Sequence, residues 1–90
     1  GMVHVTVVVD AKGRLKTPPS IALHGIAIDE NDLPARRSIA RAVAEALNGR
    51  FYVERPSDEA IADQARLAAR RAVEARVGQR PVALATVVRG

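Results

Sequence analysis

The sequence predicts a small α+β domain, a β-β-α-α-β two-layer sandwich with two antiparallel helices on one face of a three-stranded sheet. Three observations carry that prediction. Apolar residues recur at every second position near both ends of the chain, the pattern of strands with one buried face. Between them lie two segments whose apolar residues recur every three or four positions, the pattern of amphipathic helices. Each segment is bounded by residues that start or stop its kind of element.

The first strand is VHVTVVV, residues 3–9. Val3, Val5, Val7 and Val9 share one face; His4, Thr6 and Val8 share the other. DAKG follows, with Asp10 opening a type I turn and Gly13 taking the left-handed position after it. RLKT, residues 14–17, runs back as a short strand. Pro18-Pro19 breaks this second arm of the hairpin, because neither proline donates an N–H to a ladder. Residues 20–28, SIALHGIAI, resume an extended segment, in which Gly25 predicts a bulge or a close backbone approach.

Asp32 is the N-cap expected for the first helix, Pro34 sits in its first turn, and Asn48-Gly49 ends it. Ala35, Ile39, Ala42, Val43, Ala46 and Leu47 make its apolar stripe, opposite Arg37, Ser38, Arg41 and Glu45. Residues 50–56, RFYVERP, form a loop. Ser57 caps the second helix, and Asp58 and Glu59 favour the positive end of its dipole. Its stripe runs Ile61, Ala65, Ala68, Ala69, Ala72, Val73, small enough for close approach to a sheet, and the helix extends to about Val77. Leu67 falls on the polar side instead. Gly78 terminates the helix, and Pro81 opens a last strand where its missing N–H is tolerated. Along that strand Val82, Leu84, Thr86 and Val88 alternate with Ala83, Ala85 and Val87.

Ninety residues make one domain, residues 1–90. Such a chain buries only about 60–65% of its unfolded surface, so its stability is marginal unless the core is efficient. One Phe, one Tyr and no Trp make this core light, and a light core gains from docking on something larger. The absence of cysteine excludes a disulfide framework and a thiolate metal site. No apolar run approaches the ~20 residues that span a bilayer, and no signal-peptide pattern opens the chain, so the expected location is the cytoplasm, without membrane contact. Net charge is +4, with arginine supplying twelve of the fourteen basic residues. Attraction to nucleic acid and ordinary solubility both accommodate that charge.

The order of motifs resembles the C-terminal domain of ribonuclease J, in the metallo-β-lactamase/β-CASP ribonuclease family. The elements that carry it are VHVTVVVDAKGRL at 3–15, PPSIALHGIAID at 18–29, two helices, and ARVGQRPVALATVV at 75–88. The resemblance spans nearly the whole chain and rests on the ordered set. HGI at 24–26 stands where that family has an R-G-F-like core, and GQRPVAL at 78–84 stands where its terminal G-R-R-P motif sits. The departures are His24 in place of Arg and no aromatic after Gly25. The resemblance implies an accessory domain of a larger enzyme that hydrolyses RNA by endo- and 5′-3′ exonucleolytic cleavage. Its two metal ions, usually zinc, would be held by an H-x-H-x-D-H motif in a separate catalytic domain. Nothing in these residues matches that motif, so no cofactor is expected in this chain. The partners implied are the enzyme's own catalytic domains, a second subunit in a homodimer or higher homo-oligomer, and RNA through the full-length enzyme.

Read from the residues, three kinds of site are open. His4 and His24 are the only histidines; on adjacent strands they would lie side by side, yet without the third ligand that a catalytic zinc needs. No Ser-His-Asp order and no phosphate-binding glycine loop is present, so neither catalytic nor metal-ligating residues are assigned and the chain alone is expected not to be an enzyme. For RNA, the candidates are Arg37, Arg41, Arg66 and Arg70 on outer helical faces, with Arg50, Arg55, Arg76 and Arg80 near helix ends. Phe51-Tyr52 reads as a loop anchor rather than a stacking platform, and Asp63, Glu74 and Glu45 interrupt any basic stripe. For protein contact, the helix-free sheet face is expected to carry His4, Thr6, Val8, His24 and Ile26, with Leu67 an apolar point on the other side. A free strand edge adds a second way to pair subunits.

Overall fold

The computed structural model describes residues 1–29, 31–48 and 56–90. Its elements run β1 (Met2–Val9), β2 (Ser20–His24), α1 (Leu33–Asn48), α2 (Asp58–Val77) and β3 (Val82–Arg89). The fold is α+β, a three-stranded mixed sheet with two helices, as the hydropathy patterns predict. Strand order is β2-β1-β3, so the tail of the chain lies beside its first strand. β1 pairs antiparallel with β2 and parallel with β3. The parallel partner follows from the crossover: two helices carry the chain back before β3 begins.

One sheet face is covered. Val3, Val5, Val7 and Val9 are wholly buried, and α1, packed against α2 and β2, adds Ile39, Val43 and Leu47 to the same core. α2 contributes Ile61, Ala65, Ala69 and Val73 and packs against both β1 and β3. Ala83 is buried and Ala85 and Val87 half-buried beneath it, so alanines on strand and helix let α2 approach closely. The predicted stripes therefore face the sheet, with Ala42, Ala46, Ala68 and Ala72 half-buried at their margins.

The caps are those the sequence announced. The Ala35 N–H donates to Asp32 Oδ1 at 3.1 Å, and the Ala60 N–H to Ser57 Oγ at 3.1 Å. Gly78 adopts φ +73°, and its N–H donates to the Glu74 carbonyl at 2.9 Å, closing α2. At the first turn, Asp10 Oδ1 accepts from the N–H groups of Lys12 and Arg14, both at 2.9 Å, while Gly13 sits at φ +82°.

Two expectations about the return arm need correction. RLKT forms no strand; it keeps one bridge, Val9 to Leu15, and the Lys16 N–H donates to the Val8 carbonyl. Thr6 pairs with Ser20, so three steps along β1 answer to five along the return arm. The extra length bulges out at Thr17-Pro18 and returns through the buried Pro19, which is the physical form of the Pro-Pro break. The extended segment predicted to reach Ile28 ends at His24. Gly25 is a left-handed turn at φ +62° rather than a bulge inside a strand, and its backbone lies against that of Gly1, the close approach that is the other expectation for it. The alternation fails there, and Ile26 is half-buried against the core beside Val73 and Val77 instead of continuing along the open face.

Candidate protein interface on the open sheet face

The uncovered face is built by register. Each even-numbered residue of β1 faces an even-numbered residue on both neighbours. The first row is His24, Met2, Val82, and the second is Ala22, His4, Leu84. The third is Ser20, Thr6, Thr86, and Val8 with Val88 makes the last. None of these strand residues is Asp, Glu, Lys or Arg, in a chain that is 27% charged. Val82 is 62% exposed, Leu84 47% and Val88 43%; among the described residues only Leu33 is another large apolar side chain so open to solvent.

His4 lies near the centre of this face. Its Nε2 is 2.8 Å from Thr86 Oγ1, a hydrogen bond whose direction follows the imidazole tautomer. His24 shares the face but stands diagonally to His4, since His4 faces Ala22 and His24 faces Met2. No carboxylate joins them on these strands, so this donor set does not fit a zinc centre of the kind the resemblance implies, and no chemistry is routed through it.

The predicted positions are met unevenly. His4, Thr6, Val8 and His24 occupy the open face. Ile26 does not, for the reason given above. Leu67 is half-buried rather than a bare point on the surface. The prediction omitted Val82, Leu84 and Val88, the most apolar part of the face. Their signal was the large-small alternation of Val82-Ala83-Leu84-Ala85: the two alanines point toward the alanine-lined helix, which leaves Val82 and Leu84 outside, and Val88 follows by register.

The arginines do not form one stripe. Arg37 and Arg41 are exposed on α1, which packs against β2, while Arg66 and Arg70 are half-buried on α2, which packs against β3. Arg66 pairs with Asp63 at 3.7 Å and Arg80 with Glu74 at 3.8 Å. Arg76 is exposed. Arg50, Arg55 and Phe51-Tyr52 lie outside the described residues. Arg89, which the sequence did not single out, makes four hydrogen bonds. Its Nε donates to Asp58 Oδ1 at 2.7 Å, and its guanidinium also donates to the carbonyls of Asp10, Ala11 and Pro56. It clasps the end of β3 to the first turn and to the start of α2.

The chain matches no protein-family model, and no curated protein matches it. Among the described residues, no helix is long and apolar enough to cross a membrane.

Proposed function

We propose that this chain is the non-catalytic C-terminal domain of a ribonuclease J-like, RNA-degrading enzyme of the cytoplasm. Its role is assembly: it joins subunits and packs against the catalytic domains through the open sheet face. Phosphodiester cleavage and zinc belong to those other domains. The observation that carries the assembly role is the open face, whose strand residues include no Asp, Glu, Lys or Arg and which leaves Val82, Leu84 and Val88 exposed. A continuous surface of that kind is uncommon on a monomer and typical of the centre of an interface. The order of motifs in the sequence supports the family.

Direct RNA contact is the alternative role, through Arg37, Arg41, Arg66 and Arg70. Assembly is favoured because Arg66 is engaged with Asp63, and Glu45 and Glu74 lie among the basic residues of the two helices. Sedimentation of the isolated chain tests the assembly role. Self-association that rises with concentration and survives moderate salt is expected; a strict monomer at millimolar concentration refutes it. A gel shift with single-stranded RNA that disappears as salt is raised would transfer the role to RNA binding.

A further inference from the structure

A groove of about 470 Å³ runs between α1 and the bulged segment that precedes β2. One wall is a single helical ridge, Arg37, Ala40, Arg41 and Ala44, at spacing i, i+3, i+4 and i+7. The opposite wall is Leu15 with Pro18 and Pro19. The groove exists because two local choices coincide: alanine at 40 and 44 leaves the ridge low, and the two-residue excess before β2 carries Pro18 outward while Pro19 is buried at the base of the wall. The floor is aliphatic and no Asp or Glu lines it. Arg37 and Arg41 are exposed and take part in none of the ion pairs among the described residues. Lys16 also lines the groove, but its ammonium reaches toward Gly90.

We infer that this groove binds an extended acidic peptide in which carboxylates alternate with aliphatic side chains. Arg37 and Arg41 stand one helical turn apart, about 6 Å between their Cβ atoms. Alternate residues of an extended peptide lie about 6.7 Å apart on one side, so successive carboxylates meet successive guanidiniums. The residue between them points the other way, toward Leu15 and the prolines. Pro18 and Pro19 offer no N–H, so the peptide is read by its side chains and not by adding a strand. An RNA strand fits less well: its phosphates would meet the arginines, but the aliphatic floor gives its bases nothing to stack on.

The test titrates the isotope-labelled chain with an end-blocked Asp-Leu-Asp-Leu-Asp peptide at low salt and follows amide resonances. Saturable shifts at Leu15, Ala40 and Ala44 are expected. The double variant Arg37→Glu, Arg41→Glu should weaken binding by about tenfold or more. Ala44→Trp should block it by filling the groove; because Ala44 is half-buried, the exposed arginine pair keeps the test independent of packing. The proposal is overturned by no shift at millimolar peptide. It is equally overturned by undiminished binding of a peptide with serine for aspartate, by shifts confined to His4 and Leu84, or by tighter binding of oligouridine at the same residues.

Discussion

Replacing Leu84 by Lys should dissociate the assembly without unfolding the domain. Leu84 sits in the second row of the open face, opposite His4, and keeps 47% of its surface in solvent. Fully burying a leucine contributes about 2.5 kcal/mol, so covering the exposed 47% adds about 1.2 kcal/mol. A two-fold interface uses every residue twice, so its loss removes about 2.4 kcal/mol, or roughly fiftyfold in the dissociation constant. The introduced ammonium adds a desolvation cost and sets like charges against each other, so fiftyfold is a floor. The fold should tolerate the change, since Leu84 points away from α2 and strand propensity differs by less than about 1 kcal/mol. Sedimentation velocity over a concentration series measures the shift, and circular dichroism melting checks the fold. The reasoning fails if the variant associates as the wild type does, or if the wild type shows no association for the substitution to break.

Acid stability should depend on Asp10, whose carboxyl is held below the usual 3.8 by the Arg14 N–H, then the Lys12 N–H, and by the positive charges of both side chains. A carboxylate with a depressed folded pKa stabilises fully above its unfolded value and loses that contribution as pH falls through the folded one. The melting-temperature advantage over Asp10→Asn should therefore hold at neutral pH and shrink below 3.8. Arg89→Met removes the clasp between β3, the first turn and α2; with these partly exposed partners it should cost about 1–2 kcal/mol by urea denaturation. Ala69→Leu places a larger side chain at a wholly buried position of α2, and should cost about 1–3 kcal/mol by the same measurement.

The parts of the fold legible in the sequence were those set by local chemistry. Valine alternation in β1, the Asp32 and Ser57 caps, and glycines at 13 and 78 each specify a local geometry that tertiary contacts need only accept. Less legible was what a single backbone angle decides. Gly25 in a run of apolar residues is compatible with a continuing strand or a reversal. Only its φ of +62° removes Ile26 from the open face. The same holds for the site. Its β1 and β2 members follow from alternation, but which side of β3 faces inward depends on how near α2 approaches. The usual expectation that larger residues go inside fails there, because Ala65 and Ala69 leave room only for Ala83, Ala85 and Val87. Arg89 was illegible because its partners come from two stretches of chain, at Asp10-Ala11 and at Pro56-Asp58, both distant from it in sequence.

The location of the apolar face ties assembly to folding. β3 supplies Val82, Leu84 and Val88 to that face and Ala83, Ala85 and Val87 to the covered one. It is an edge strand, pairing with β1 on one side and with no described strand on the other. Its attachment therefore rests on the β1 ladder, the light alanine packing beneath α2, and the Arg89 clasp. A partner seated on the open face contacts β1 and β3 together, so it binds only the state in which β3 is docked. Free energy of association is then also free energy of folding, about 2.7 kcal/mol when the partner is at a hundred times its dissociation constant. That gain is a large fraction of the stability expected of a domain this small. Under the proposed assembly role, a chain that leaves Val82, Leu84 and Val88 outside and sets Ala65 and Ala69 over Ala83 would gain from a partner on the open face part of the stability its own core does not supply.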